Sequence, residues 1–303
     1  MYDLAIIGGG PSGLTAGIYA GRANLKTIVI DKGLPGGQMQ NTLDIENYPG
    51  YRMITGAELS DLLQQQMLDF GAEWKQAEVS GVELADQFKK VILTGGEIVE
   101  ARAIIIATGA QPRKLGVPGE KEFAGRGVSY CATCDGAFFR GREVVVVGGG
   151  DSAVEEGIFL TRFAAQVTII HRRDQLRAAP ILQQRAFNNP KIKFVWNSVV
   201  DEIIGDVKVK KVRIRNLQTN AVSELNTDGV FIYVGFVPNT GFLQDTGLLN
   251  DRGYIETDNK MATKIAGVFA AGDVRETPLR QIITAASDGA LAAMSAYHYL
   301  ENI

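Results

Sequence analysis

One stretch of this chain recurs 140 positions further on without a gap, and no other feature constrains the fold as much. Tyr2 to Ile7 reads as a short apolar strand, Gly8-Gly9-Gly10-Pro11-Ser12-Gly13 as a glycine turn, the residues through Ala23 as a helix and Thr27 to Ile30 as a second strand. The second copy is Glu143 to Val147, Gly148-Gly149-Gly150-Asp151-Ser152-Ala153, a helical stretch to Phe163, and Val167 to Ile170. Eight positions are identical, at Gly8, Gly9, Gly10, Ser12, Gly17, Ile18, Arg22 and Ile30 of the first copy. In such a strand-turn-helix unit the first glycine permits a tight turn, the second lets backbone approach a pyrophosphate, and the third lets the helix pack on the strand. Alanine at position 153 is small enough for that last task. The helix N-terminus then offers free amides and the positive end of its dipole to an anion. A lone G-x-G-x-x-G is weak evidence, since a glycine-rich turn can be only a turn. Two copies in the same context predict an α/β chain with two Rossmann-like dinucleotide-binding domains. The candidate contacts are Gly8, Gly10, Ser12 and Gly13 in one copy, and Gly148, Gly150, Asp151, Ser152 and Ala153 in the other.

The end of the second strand distinguishes the copies. Asp31 stands there in the first, where a carboxylate accepts hydrogen bonds from an adenosine ribose and repels a 2′-phosphate. The same register of the second copy holds His171, followed by Arg172, Arg173 and Arg177. Guanidinium groups make paired, charge-assisted hydrogen bonds to phosphate, so this cluster favours NADPH over NADH, the alternative being a solvated basic turn. Two further strands lead into glycine turns, Ala103 to Ile106 before Ala107-Thr108-Gly109 and Gly267 to Ala270 before Ala271-Gly272-Asp273, and both are expected to return to the first unit's sheet. A final helix from about Gln281 to Leu300 starts just after Arg280-Gln281, where its N-terminus suits either negative charge or a simple cap. At 303 residues the chain exceeds one ordinary core. Gly116-Val117-Pro118-Gly119 and Gly235-Phe236-Val237-Pro238-Asn239 are the linker candidates. They divide the chain into a first domain over 1–116 and 241–303 and an inserted domain over 117–240.

The only two cysteines are Cys131 and Cys134, in Cys131-Ala132-Thr133-Cys134-Asp135-Gly136, within the inserted domain. A secreted scaffold would use more cysteines and longer loops, and zinc needs ligands that His171 and His298, the only histidines, do not complete. A C-x-x-C beside a nucleotide unit fits redox work, because such a pair commonly holds one thiol at lowered pKa and a thiolate attacks disulfides. Two inert buried cysteines are the bland alternative. Asp135 is placed to give or take the proton that dithiol chemistry requires, and equally to cap the next turn.

With these residues in view, the chain resembles the bacterial low-molecular-weight thioredoxin reductases over essentially its whole length. The resemblance rests on Gly8 to Gly13, Gly36-Gly37-Gln38, Glu46-Asn47-Tyr48-Pro49-Gly50, Ala107-Thr108-Gly109, Cys131 to Asp135, Gly148 to Ala153, His171 to Arg177, Gly272-Asp273 and Arg280-Gln281. It implies FAD and NADPH as cofactors, with the NADPH domain inserted into the FAD domain. Gly37, Gln38, Asn47, Thr108, Gly109, Gly272, Asp273, Arg280 and Gln281 then fall at the FAD, and His171, Arg172, Arg173 and Arg177 at the NADPH. It also implies a homodimer and thioredoxin, or a thioredoxin-like protein, as partner. Some relatives carry histidine where this chain has Phe236, which leaves Asp135 as the clearer acid/base candidate. Because one inserted domain carries both the nicotinamide site and the dithiol, and both must reach one isoalloxazine ring, that domain is expected to rotate about linkers near Val117 and Pro238.

Charge and hydropathy narrow the alternatives. The net charge of -3 gives no general reason to bind nucleic acid or an anionic membrane. Apolar runs such as Val144 to Val147 fall far short of the roughly 18 residues that span a bilayer, and the N-terminus shows no leader pattern, so a cytoplasmic location is expected. A flavin disulfide oxidoreductase serving another carrier, and a non-catalytic NADPH sensor, remain the competing readings at this level.

Overall fold

The structure is a computed structural model; it describes every residue except Leu43, Asp44, Glu46, Ala85 and Asp86, and leaves the side chains of Asn41 and Cys134 undescribed. Glu46, one of the residues that carry the resemblance, therefore lies outside the described residues. In chain order the elements are β1 (Tyr2–Ile7), α1 (Pro11–Arg22), β2 (Thr27–Asp31), α2 (Gly56–Asp69), β3 (Glu73–Gln76), β4 (Val79–Glu83), β5 (Lys89–Leu93), β6 (Ile98–Ile106), β7 (Ala110–Pro112) and β8 (Val128–Ser129). There follow α3 (Ala132–Asp135), β9 (Glu143–Gly148), α4 (Asp151–Leu160), β10 (Gln166–Ile170), α5 (Pro180–Phe187), β11 (Ile192–Val195), β12 (Ser198–Gly205), β13 (Val209–Asn216) and β14 (Val222–Asn226). The chain ends with β15 (Gly229–Tyr233), β16 (Phe236–Pro238), β17 (Val268–Ala270) and α6 (Ile282–Glu301). Among the described residues no helix is long and apolar enough to cross a membrane.

The chain forms two compact units, one made of 1–111 and 237–303, the other of 112–236. In the first, a sheet of order β3-β2-β1-β6-β5-β4 is built on parallel pairing of β1 with β2 and β6. β6 is longer than its apolar core suggests because it serves two partners in succession. Its first half pairs antiparallel with β5 from Ile98 to Ala101, and its second half pairs parallel with β17 from Ile104 to Ile106. Leu4, Ala5 and Ile6 are fully buried, as expected of a central parallel strand covered on both faces. The expected return of the two later strands to this sheet is thus observed.

Helices α1 and α6 cross at very close range. A Cβ on Gly289 would stand 2.1 Å from the Ser12 carbonyl oxygen, and one on Gly17 would meet Met67 of α2 at 2.7 Å. The absence of side chains at these two positions is what lets α6 and α2 lie on α1 and bring the N-terminal ends of α1 and α6 to one place.

The second unit repeats the plan with a sheet of order β11-β10-β9-β15-β8, all parallel, and adds an antiparallel β12-β13-β14 sheet. Its second copy of the repeat ends its helix at Leu160, short of Phe163; tight turns carry the chain through Thr161–Phe163 instead, closed by Phe163 N donating to Leu160 O at 3.0 Å. The segment Gly116–Gly119 is packed inside this unit. Ile203 N donates to Pro118 O at 3.0 Å, and Gly119 holds φ +83° where a Cβ would strike Ile203 O. At the other crossing, Asn239 is fastened within the first unit, its side-chain amide donating to Thr108 O and Thr108 Oγ1 donating to Asn239 O, each at 2.8 Å. The crossings therefore fall a few residues earlier in the chain than the glycine and proline punctuation suggests, on β7 and β16, which pair with each other. We expect Gly289→Ala to destabilise the protein by about 1–3 kcal/mol through overpacking against α1, read as a lower urea midpoint at unchanged slope.

Candidate active site

In the first unit the glycine turn lies where the C-terminal ends of β1 and β6 meet α1. Gly8 has φ +110°, and a Cβ there would stand 2.3 Å from Ala107 O; a Cβ on Gly13 would stand 1.8 Å from Gly8 O. Strand, turn and helix are thus in backbone contact, which no larger residue tolerates. Gly9 is hemmed in by the Trp74 ring, 2.4 Å from where its Cβ would be, whereas Gly10 has open space. Asp31 secures this turn, Oδ2 accepting from Gly9 N at 2.6 Å and Oδ1 from Gly33 N at 2.7 Å.

Above the turn opens a cleft of about 840 Å³, of the size of a cofactor site, and it is lined by residues of this unit alone. Of the expected residues, Gly8, Gly10, Ser12, Asp31, Gly37, Gln38, Thr108, Gly109, Asp273, Arg280 and Gln281 line it. Gly13 serves the packing behind the turn, and Gly272 stands at Ser12, where its Cβ would be 2.7 Å from the hydroxyl oxygen. Asn47 joins the rim by donating to Gln281 Oε1 at 3.0 Å. Gln281 is the N-cap of α6.

Asp273 is held up at about 6, chiefly by burial and further by Asp288, against the opposing pull of Arg280. Asp288 is a residue that sequence reasoning misses. It is buried, and its carboxylate accepts from Gly272 N at 3.1 Å and from Arg275 Nε at 2.6 Å, so one side chain of α6 braces the turn that presents Asp273. Neither Asp288 nor Arg275 belongs to a recognisable motif, and only the fold brings them together.

In the second unit the glycine turn Gly148–Ala153 opens α4 in the same way. Asp151 is occupied locally, its Oδ1 accepting from Ala179 N at 2.6 Å, while Ser152 is exposed. His171 takes the place that Asp31 takes in the first unit; its ring stands 2.3 Å from where a Gly149 Cβ would be. It is buried, its Nε2 lacks a hydrogen-bond partner among the described residues, and burial first, then Arg177, Arg172 and Arg173, lower its pKa. It is therefore neutral at pH 7. The three guanidinium groups are exposed, and among the described residues none has an ion-pair partner. Three cations gathered around one imidazole have the chemistry to hold a dianionic phosphate.

The same unit carries the cysteines. Cys131 is disulfide-bonded; the side chain of Cys134 lies outside the described atoms, and its backbone sits in the one-turn helix α3. Ser129 Oγ brackets Cys131, accepting from its N and donating to its O at 3.1 Å each. Thr133 Oγ1 lies 3.3 Å from Cys131 Sγ, and Ala132 N donates to the phenol oxygen of Tyr233 at 2.7 Å. Asp135 ends α3, its N donating to Cys131 O at 3.2 Å as the bond of that one turn, and its side chain makes no cap to the turn that follows. Beneath lies Glu156 of α4, pushed up to about 7 by burial and by Glu155, with Oε2 unpartnered among the described residues.

Because the folded carboxyl of Glu156 holds its proton more tightly than the ordinary 4.5, the stability it contributes is complete below that value and is lost as pH rises through about 7. We expect Glu156→Gln to stabilise the protein by at most about 3 kcal/mol near pH 8 and negligibly near pH 4, measured by urea unfolding at both.

Comparisons with known proteins place the chain in a family. Residues 2–289 match the pyridine nucleotide-disulphide oxidoreductase family. A thioredoxin reductase of Bacillus subtilis is 54% identical over 304 aligned residues, covering 100% of this chain and 96% of that protein. The crystal structure of Lactococcus lactis thioredoxin reductase in its FR conformation is 50% identical, covers 100% of both chains and superposes with a TM-score of 0.86; that of the T. acidophilum thioredoxin reductase is 36% identical, covers 98% of each chain and gives 0.81. With two dinucleotide turns, a basic cluster at only one of them, and a disulfide on the unit that carries that cluster, the chain belongs to the pyridine nucleotide-disulphide oxidoreductase family, among its thioredoxin reductases.

Proposed function

We propose that this enzyme moves two electrons from NADPH, by way of FAD and the Cys131–Cys134 pair, to the disulfide of oxidised thioredoxin or a thioredoxin-like protein. The observation that carries the reading is the disulfide-bonded Cys131 on the same unit as a dinucleotide turn and the three exposed arginines Arg172, Arg173 and Arg177. The residues of the first unit fit FAD. The amides at the start of α1 receive its pyrophosphate, Asp31 its adenosine ribose, and Gln38, Asn47, Asp273 and Gln281 the remainder of the cleft. Bound FAD would supply a two-electron relay between a hydride donor and a disulfide. Arg172, Arg173 and Arg177 hold the 2′-phosphate and so select NADPH, with His171 as a neutral wall behind them.

The balance is simple. One hydride from NADPH and one proton from solvent are consumed for each sulfur–sulfur bond opened, leaving two thiols. The Cys131–Cys134 dithiol then passes the pair on by exchange, one thiolate attacking the partner's disulfide and the other closing the mixed disulfide, so that the thioredoxin leaves as a dithiol. Asp135 is the group that moves the proton at the cysteines. The inserted unit rotates about the crossings at β7 and β16 between these half-reactions, and two chains form a homodimer in the cytoplasm.

An NADPH-dependent thioredoxin reduction assay tests this reading. Cys131→Ser and Cys134→Ser are each expected to abolish turnover, and either retaining it overturns the assignment. Replacing Arg173 or Arg177 with Ala should lower kcat/KM for NADPH about tenfold or more while sparing NADH. A cross-link between the units that left turnover intact would remove the rotation.

A further inference from the structure

We infer that Glu120 is a positioning residue for Cys131, acting through Tyr130 and tying the segment that carries the redox cysteine to Leu115 and Gly116, where the chain has just entered the second unit. Glu120 is 3% exposed, and all its hydrogen-bond donors are neutral. Oε1 accepts from Leu115 N at 2.9 Å and from the Tyr130 hydroxyl at 2.7 Å, while Oε2 accepts from Gly116 N at 2.7 Å. Among the described residues no ion pair includes it.

A carboxylate buried without a cation costs desolvation that an apolar side chain at the same place would avoid. What it does here is join two stretches distant in role. Leu115 and Gly116 are among the first residues of the second unit after the chain enters it at Pro112, and Arg113 N donates to Gly235 O of the returning strand at 2.8 Å. Tyr130 is the residue before Cys131. Leu115, Val117 and Tyr130 also pack on the same apolar core, with Phe123 and Val128.

The backbone around Cys131 is also held by Ser129 Oγ, by the bond from Asp135 N to Cys131 O, by Tyr233 at Ala132 and by the parallel pairing of Ser129 with Phe231. The Tyr130 phenol adds a side-chain tie, through Glu120, between that backbone and the Leu115–Gly116 segment. Burial, then the bond to Glu120, holds the phenol well above its usual range, so it remains a donor. Gln cannot replace Glu120 silently, because its NH₂ would face an N–H or an O–H donor at one of the two oxygen positions. Phe at 130 removes the tie and leaves the Leu115 and Gly116 bonds to Glu120 in place.

This inference rests on the redox role proposed for the pair, and its test separates the two. On the flavin-loaded enzyme, NADPH-driven reduction of ferricyanide bypasses the cysteines and NADPH-driven reduction of thioredoxin needs them. Tyr130→Phe is expected to lower kcat for thioredoxin about fivefold or more, with KM for thioredoxin and the ferricyanide rate unchanged, and Glu120→Gln to do the same. Hydrogen exchange gives a second readout without turnover. The Cys131 and Ala132 amides should lose about tenfold protection in Tyr130→Phe, while Leu115, Gly116 and the strand β9 keep theirs. Wild-type kcat for thioredoxin in Tyr130→Phe overturns the inference, as does a parallel fall of both rates with uniform loss of protection, which marks a purely structural residue. If the wild-type protein reduces no thioredoxin, the function fails and the exchange result still decides the positioning role.

Discussion

The structure depends on a point of backbone contact that no side chain can enter. The carbonyl of Ala107 at the end of β6, the Gly8 peptide at the end of β1 and the start of α1 at Gly13 meet at distances where any Cβ would overlap an oxygen. Three elements are thereby locked at one place, and their free amides and strand ends face the same cleft. Gly289 extends the arrangement by letting α6 cross α1, which delivers Gln281 and Arg280 to the far wall. The cofactor cleft is a consequence of this packing.

The second unit reuses the contact with different electrostatics. In the first, a carboxylate at the end of β2 accepts the Gly9 amide of the turn and the Gly33 amide beyond the strand; in the second, a neutral imidazole fills that position and three arginines surround it. One backbone solution thus carries two different charge environments, and the difference lies in four side chains at and after the second strand. The same unit spends buried polar groups around Cys131. Ser129, Tyr233 and the Glu120–Tyr130 pair hold a short segment that has only one turn of helix of its own. A redox cysteine gains from a backbone that does not drift, because misplacement of reacting atoms by even about 1 Å is costly.

Much of this was legible without coordinates, for a physical reason. Glycine turns, the C-x-x-C and the arginine cluster are local motifs, in which spacing along the chain equals spacing in space. The strands and helices of both repeats follow, as does the return of β6 and β17 to the first sheet. The helix expected to reach Phe163 stops at Leu160 because successive tight turns take over there, a boundary that periodicity cannot resolve. Asp288, Arg275 and Trp74 left no signal, since each acts on residues that only folding brings near, and Glu120 belongs to no motif.

The sequence by itself determined the α/β class, the doubled dinucleotide motif, the difference between Asp31 and His171, and the redox pair, because these are set by residue type at fixed local spacing. Only the tertiary structure decided what supports them. The Asp288 brace behind Asp273, the fastening of Thr108 to Asn239 and the Glu120–Tyr130 tie all join residues far apart in the chain or outside any motif. Such contacts depend on which faces pack together, and packing is a property of the whole fold.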